Sequence, residues 1–186
     1  MKNEMRKAFL KKRSELSKEE QYEKSNIIMQ KLLETEEYKE AETVFCYIDM
    51  GSEVKTVPFI EQAWKDGKKV AVPIAKKDRV MYFVPLTTFE GLQRTKLGVM
   101  EPDEPVEKQV FPDEKSMFIV PGSMFDVKLN RCGYGGGYYD TYIAEKNVRN
   151  TIGICYDFQL ADEIPTEEFD RKLSKIITEK RYIKGD

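Results

Sequence analysis

A run of glycines and tyrosines lies between an arginine and an aspartate in the segment NRCGYGGGYYD, residues 130–140. Glycines let successive backbone N–H groups converge on an anion, because no Cβ atom stands in the way. A helix that begins near Tyr138 would add free N–H groups and the positive end of its dipole. The guanidinium of Arg131 could contact two phosphate oxygens at once. These residue types in this order predict a phosphate-binding loop.

Asp140 falls in the first turn of the same helix, where its charge suits the helix dipole but would repel a bound phosphate. A cation between the two would remove that conflict, and Mg²⁺ prefers one or two carboxylates together with phosphate oxygens. Asp140 is therefore a candidate magnesium ligand. The alternative is that the glycines form only a tight turn, the tyrosines are core, and Asp140 complements the dipole. The pattern supports both readings equally, because it fits neither G-x-x-x-x-G-K-[ST] nor an opening G-x-G-x-x-G.

The chain around this loop alternates between helix-like and strand-like segments. Two helices are predicted at the start, the second beginning at Ser17, which has capping-box spacing to Glu20. A strand follows in TVFCYIDM, then a helix that ends at Gly67, then a strand in KKVAVPIA. This order is typical of a βαβ unit and predicts an α/β fold. Further strands are predicted in VMYFVPL, SMFIVPG, TIGICYD and KIITEK, and residues 90–114 are interpreted as one long connection on the functional rim.

The composition indicates one domain over residues 1–186, because 186 residues of which 40% are hydrophobic suffice for a single core. The 31 basic and 33 acidic side chains nearly cancel, so a general nucleic-acid binder is not expected. No apolar run reaches the roughly 20 residues of a membrane span. The first residues also lack the apolar region of a secretory signal. We therefore expect no membrane partner and a cytoplasmic location.

The sequence offers only a limited set of side-chain types for catalysis. The cysteines, Cys46, Cys132 and Cys155, are odd in number and far apart, which indicates neither a disulfide framework nor a zinc site. Cys46 and Cys155 lie in apolar segments and are expected in the core. The chain has no histidine, which excludes a Ser-His-Asp mechanism and an imidazole base. Chemistry must then use carboxylates, lysines, arginines, backbone amides or an oxygen-bound metal.

The segment PGSMFDVKLNRCGYGGGYYD, residues 121–140, resembles the signature of the 5-formyltetrahydrofolate cyclo-ligase family, also called 5,10-methenyltetrahydrofolate synthetases. The resemblance continues, in the family's order, through KNEMRKAFLKKR, YIDMGSEVKT, DGKKVAVPIA, GVMEPDEP and EIPTEEFDRKLSKIIT. It implies a single-domain layered sheet with Rossmann-like connections, mostly parallel with helices on both faces, and an N-terminal helical hairpin.

The resemblance also implies a reaction: ATP-dependent cyclisation of 5-formyltetrahydrofolate to 5,10-methenyltetrahydrofolate, with ADP and phosphate released. The formyl oxygen would first be phosphorylated, and N10 would then attack the activated carbon. Because the substrate supplies both nucleophiles, the protein needs no base of its own, which is compatible with the lack of histidine. Implied partners are 5-formyltetrahydrofolate, ATP and Mg²⁺, with no nucleic acid, and we expect a monomer.

The family's site residues correspond to several positions here. The ATP contacts fall on Lys2, Arg6, Arg131, Cys132, Gly133, Tyr134, Gly135, Gly136, Gly137, Tyr138 and Tyr139. The folate contacts fall on Ile48, Glu53, Tyr134, Gly135, Gly136, Gly137 and Tyr138. The metal carboxylates are Asp140 and Asp170, and the residues assigned to catalysis are Arg131, Tyr138 and Asp140.

Some of these roles have a physical reason beside the resemblance. Lys2 and Arg6 are four residues apart and share a helix face, and the carboxylate of Glu53 could pair with the 2-amino and N3 edge of a pterin. Taken alone, Lys2 and Arg6 would be a solvated surface, Glu53 a helix N-terminal acid, and Asp170 an exposed acid. These alternatives stay open at this point.

Three positions depart from the family pattern: Leu129 replaces a common glycine, Cys132 a leucine or isoleucine, and Ser174 an acid. Because leucine resists positive φ, we expect a different backbone in the turn before Arg131. Two other functions remain as alternatives. One is a phosphate-handling enzyme such as a sugar-phosphate isomerase or a coenzyme A transferase relative, with Glu101 as its carboxylate. The other is a non-catalytic nucleotide-binding module, which could be directed to RNA.

Overall fold

The structure is a computed structural model that describes residues 1–185. Its helices are α1 (Lys2–Ser14), α2 (Lys18–Glu34), α3 (Glu36–Glu40), α4 (Val57–Lys65) and α5 (Tyr138–Lys146). Its strands are β1 (Thr43–Phe45), β2 (Lys69–Ala75), β3 (Met81–Pro85), β4 (Gln93–Arg94), β5 (Met100–Glu101), β6 (Ser116–Val120), β7 (Met124–Asp126), β8 (Arg131–Cys132), β9 (Thr151–Ile154), β10 (Leu160–Ala161), β11 (Lys175–Ile177) and β12 (Tyr182–Lys184).

A seven-stranded sheet in the order β12-β11-β9-β6-β1-β2-β3 forms the centre of the fold. The run from β11 to β2 is parallel throughout, and an antiparallel strand closes each edge. This confirms the predicted α/β sheet with mostly parallel strands. The first predicted strand is shorter than expected, because the chain leaves the ladder after Phe45. The residues that follow Phe45 are thereby free to form part of the candidate site.

Helices cover both faces of this sheet, as predicted. Alternate residues of a strand point to opposite faces, so Val44 joins the core beneath α2, α3 and α4, whereas Phe45 joins the core beneath α5. The second core is aromatic: the Phe118 ring lies 5.7 Å from Phe45 and 5.8 Å from Tyr142, between centroids. Such pairs add about 0.5–1.5 kcal/mol each beyond buried area. They hold α5, and with it the end of the glycine segment, against the sheet.

Local signals set the helix ends where the sequence predicted them. Ser17 Oγ accepts a hydrogen bond from Glu20 N at 3.1 Å, and Glu20 Oε2 accepts one from Ser17 N at 2.8 Å. This is the predicted capping box at the start of α2. Gly67 has φ +75° just after α4, as a C-terminal stop requires. The Trp64 ring, on α4, packs against the core, and its Nε1 donates to the Leu86 carbonyl at 2.9 Å.

The first helix packs next to a second, smaller sheet. Met5 and Phe9 of α1 contact Met124, Cys132 and Ile164, next to a small sheet of β10, β7 and β8. The sequence did not predict the β7–β8 hairpin, which stands between the central strand β6 and the glycine segment. The predicted connection over residues 90–114 also contains the short β4–β5 pair and a bridge from Val110 to Phe83.

Our expectation for the turn before Arg131 was wrong: Leu129 has φ +69°, the left-handed conformation that a glycine would take. The buried Asp126 holds this turn, because its carboxylate accepts hydrogen bonds from the backbone of Lys128 at 2.9 Å and of Asn130 at 2.9 Å. The Leu129 side chain is buried in the core under α5. These bonds and the burial offset a conformational cost of about 1–2 kcal/mol.

All three cysteines are buried and free, which confirms the core positions of Cys46 and Cys155. Within residues 1–185, no helix is long and apolar enough to cross a membrane.

Candidate active site

The glycine loop, residues 133–137, connects β8 to the first residue of α5. Gly135 and Gly137 have φ +106° and +69°, which other residues adopt at a cost. At Gly136 a Cβ atom would lie 2.7 Å from Cδ2 of Tyr138, so the ring leaves no room for a side chain. Residues 134–136 are exposed, which leaves their backbone open to a ligand.

Arg6 lies beside this loop, and within residues 1–185 it forms no ion pair with a carboxylate. A Cβ on Gly135 would be 3.3 Å from Arg6 Nη1. The guanidinium donates to Asn3 Oδ1 at 2.7 Å and to Cys132 Sγ at 3.4 Å, while its buried Nε has no partner among the described residues. A cation with weak, neutral partners next to an open glycine loop is suited to an anion. The structure therefore brings Arg6 to the predicted phosphate loop.

Lys2 is engaged differently. Its ammonium contacts Glu167 Oε2 and Asp170 Oδ2, both at 2.7 Å. Burial lowers the pKa of Lys2, but the hydrogen bonds to Asp170 and Glu167 more than offset this and raise it above its ordinary value. Lys2 thus joins α1 to the C-terminal segment, and its contact with ATP stays a prediction.

Arg131 and Asp140 form a buried ion pair. Arg131 Nη2 lies 2.9 Å from Asp140 Oδ2, and the two side chains are 3% and 10% exposed. Arg131 Nη1 donates to the Pro121 carbonyl at 3.0 Å, and Asp140 Oδ1 accepts from Arg171 N at 3.1 Å. The guanidinium thus faces the protein interior, where it ties the β8 strand to α5. Both Nη atoms of Arg131 are bonded within the protein in this conformation, so its bidentate contact with phosphate stays a prediction.

The two predicted magnesium ligands do not fit a metal ion in this conformation. Both oxygens of Asp140 accept hydrogen bonds, and one of the donors is a guanidinium that would oppose a nearby divalent cation. Asp170 Oδ2 accepts from Lys2 Nζ and from Glu167 N at 2.8 Å. Within residues 1–185 no group of three potential metal-binding side chains comes together. A metal role for Asp140 and Asp170 therefore stays a prediction.

A second cluster, which we call the acid–tyrosine cluster, consists of Glu53, Tyr134 and Arg13. The Tyr134 hydroxyl donates to Glu53 Oε1 at 2.7 Å and accepts from Arg13 Nη1 at 2.7 Å. Glu53 Oε2 accepts from Met50 N at 2.8 Å. Burial raises the pKa of Glu53 above its ordinary value, although Tyr134, Met50 N and Arg13 pull it down in part. Burial and the neighbouring Glu53 raise the pKa of Tyr134 as well.

This cluster lies at the carboxyl ends of parallel strands. Pro121 and Gly122, which follow β6, and Ile154, which ends β9, line a small recess together with Glu53 and others. Open α/β sheets bind ligands at this edge. The glycine loop reaches the same edge through Tyr134. This residue is 44% exposed, although its hydroxyl points inward. The predicted ATP loop and the predicted folate carboxylate are therefore neighbours.

The remaining predicted residues lie around the glycine loop and the acid–tyrosine cluster. Ile48 is buried in the core under α4, and Cys132 is buried beneath α1. The Tyr138 hydroxyl donates to the Lys76 carbonyl at 2.7 Å. Tyr139 keeps a buried hydroxyl that lacks a partner among the described residues, and its ring centroid is 5.6 Å from the Arg131 guanidinium. Tyr138 and Tyr139 therefore pack against the core next to the loop, and their contact with a nucleotide stays a prediction.

Sequence reasoning missed Arg13. It is buried in α1 without an ion pair among the described residues, and its Nε donates to Ser52 Oγ at 3.1 Å. The available signal was its spacing of seven from Arg6, two helical turns along the same face. Glu101, the carboxylate of the alternative enzyme classes, accepts from Ala75 N at the end of β2 at 3.1 Å. Burial raises the pKa of Glu101.

Comparison with known proteins agrees with the geometry. Residues 1–179 match the 5-formyltetrahydrofolate cyclo-ligase family. The chain is 34% identical over 174 residues to a probable 5-formyltetrahydrofolate cyclo-ligase of Schizosaccharomyces pombe, covering 85% of each chain. It is 30% identical over 142 residues to the Escherichia coli K12 5-formyltetrahydrofolate cyclo-ligase, covering 74% of this chain and 78% of that one.

Solved structures show the same relationship. The 5,10-methenyltetrahydrofolate synthetase of Aquifex aeolicus superposes with a TM-score of 0.83 at 28% identity, covering 98% of this chain and 92% of that one. The 5,10-methenyltetrahydrofolate synthetase of Mycoplasma pneumoniae gives 0.75 at 26% identity, covering 96% and 98%.

Proposed function

Because this chain belongs to the 5-formyltetrahydrofolate cyclo-ligase family, we propose that it converts 5-formyltetrahydrofolate to 5,10-methenyltetrahydrofolate with consumption of ATP. Magnesium enters with ATP as part of that substrate. The products are the methenyl folate, ADP and phosphate. We also propose that the protein is located in the cytoplasm, where small soluble substrates such as ATP and 5-formyltetrahydrofolate would be found.

One observation supports this proposal for the site itself: the Tyr134 hydroxyl, on the glycine loop, donates a hydrogen bond to Glu53 Oε1 at 2.7 Å. The loop suits the triphosphate, since it offers open backbone amides beside Arg6. The carboxylate of Glu53 suits the donor edge of a pterin. Two substrates that must react with each other therefore have adjoining sites, and positioning of this kind supplies a large part of the rate enhancement.

The chemistry can proceed without a protein base. The formyl oxygen attacks the γ-phosphorus of ATP, the bond from that phosphorus to the bridging oxygen breaks, and ADP leaves with the electron pair. N10 then attacks the activated carbon, the carbon–oxygen bond breaks as phosphate departs, and the N10 proton passes to that phosphate. In this scheme the chain holds the two substrates, neutralises the phosphate charge through Arg6, and excludes water.

Glu53 has a defined part in that scheme. In the free protein its carboxyl is buried and its pKa is raised, so it holds a proton more readily than an exposed acid. The N–H donors of a pterin would favour the ionised form and lower that pKa. Glu53 would then accept two hydrogen bonds while Tyr134 moves from its present contact.

The test follows the methenyl product by its near-ultraviolet absorbance after 5-formyltetrahydrofolate and magnesium ATP are mixed with the protein. ADP release should require the folate. Glu53→Gln should lower kcat/KM for the folate about tenfold to hundredfold, through loss of charged hydrogen bonds. Glu101→Gln is the matched control and should leave turnover unchanged. Absence of product from folded protein would reject the proposal.

A further inference from the structure

The tight turn between β2 and β3 contains two strained residues. Asp78 and Arg79 have φ +58° and +62°, and the turn is closed by a hydrogen bond from Lys76 N to the Val80 carbonyl at 2.8 Å. Hairpin turns with two left-handed central residues favour Asn-Gly or Gly-Gly, because other side chains carry a conformational cost there. Strain of this kind is commonly retained where a residue has a function.

This turn places Arg79 against the glycine loop. A Cβ on Gly137 would lie 3.4 Å from Arg79 Nε and 3.6 Å from its Cζ. The Tyr138 hydroxyl, which donates to the Lys76 carbonyl, fastens the turn to the start of α5. These two observations place the turn, and with it Arg79, at the end of the loop.

The charge of Arg79 is not neutralised by the protein. The side chain is exposed, and within residues 1–185 it forms no ion pair with a carboxylate. Arg6 stands at Gly135 with neutral partners, so two arginines without carboxylates flank the same three residues from α1 and from the β2–β3 turn. In contrast, Arg131 is already paired with Asp140.

We propose that Arg79 binds the phosphate chain of ATP across the glycine loop from Arg6. This inference rests on the proposed cyclo-ligase function and adds a nucleotide-binding residue from a strand turn that the sequence analysis did not single out. An arginine suits the task because its planar fork can contact two phosphate oxygens at once. The exposed side chain can move onto the nucleotide without breaking an existing ion pair.

The experiment compares Arg79→Gly with Asp78→Gly. Both substitutions place glycine at a left-handed position of the same turn, so neither should lower the melting temperature. Arg79→Gly should raise KM for ATP about tenfold, the effect of losing one charged contact, and should leave KM for 5-formyltetrahydrofolate within about twofold. Asp78→Gly should leave both constants unchanged, because it keeps the guanidinium.

Three results would overturn the inference: an unchanged KM for ATP in Arg79→Gly, an equal rise in both variants, or a rise in KM for the folate instead of ATP. The second result would assign the effect to the shape of the turn, and the third to a contact with the folate carboxylates. If the wild-type protein gives no product, the proposed function fails, and calorimetric titration with magnesium ATP still tests Arg79. Equal affinity of wild type and Arg79→Gly in that titration would refute its role.

Discussion

Substituting Asp140 by asparagine should destabilise the protein strongly, because Arg131 would be left buried without a countercharge. Removing one partner of a buried ion pair costs about 3–5 kcal/mol. An asparagine can still accept one hydrogen bond from Arg131 or from Arg171 N, so we expect the lower end, about 3 kcal/mol. For a chain of this size that corresponds to a fall in melting temperature of about 6–12 °C.

The assay is urea unfolding followed by circular dichroism, applied to Asp140→Asn and to an apolar double variant. Arg131→Met combined with Asp140→Leu should recover most of the loss, because a buried pair can be replaced by apolar side chains at little cost. Glu163→Gln is the control: its ion pair with Lys128 is exposed, with side chains 71% and 54% exposed, and the loss should stay below about 1 kcal/mol.

The result that would refute this reasoning is a stable Asp140→Asn protein without turnover. If its free energy of unfolding stays within about 0.5 kcal/mol of the wild type, the ion pair is not the main role of Asp140. The residue would then act on the nucleotide or on a metal, as the family resemblance implied. A loss of stability together with recovery in the apolar double variant would support the structural role.

Three further outcomes are expected. In urea unfolding, the stability of Glu53→Gln relative to wild type should rise from about pH 4 to pH 7. The buried carboxyl of Glu53 has a raised pKa, so it favours folding only while it is protonated, and this contribution is lost as the pH rises through the pKa of the folded state. A stability difference that does not change with pH would contradict this. Leu129→Gly should lower the free energy of unfolding by about 1–3 kcal/mol, since the lost packing exceeds the strain relieved, and a more stable variant would show that strain dominates. Gly136→Ala should raise KM for ATP with a change in stability below about 1 kcal/mol, because its Cβ would displace the Tyr138 ring in an exposed loop; unchanged kinetics would count against a role for this loop in binding.

Some features of this protein follow from residues that are neighbours in sequence. The capping box of Ser17 and Glu20, the stop at Gly67 and the order of strands and helices were predicted, because each depends on local hydrogen bonds or on periodic apolar residues. The glycine loop was also recognisable, since the freedom of its backbone belongs to the residues themselves. Together with the family resemblance, these signals were sufficient to predict the sheet and the enzyme class, while phosphate binding by the loop stays a prediction.

The tertiary structure decided what each charged group contacts. Arg131 was predicted to face a phosphate, but folding buries it against Asp140, and an unpaired charge there would be too costly. Glu53 meets Tyr134 and Arg13 only because β1, the glycine loop and α1 end at the same edge of the sheet. Leu129 takes a conformation that its own preference opposes, since the hydrogen bonds of Asp126 and the burial of its side chain outweigh that preference. Contacts between distant segments depend on the packing of the whole chain, and local sequence preferences do not contain them.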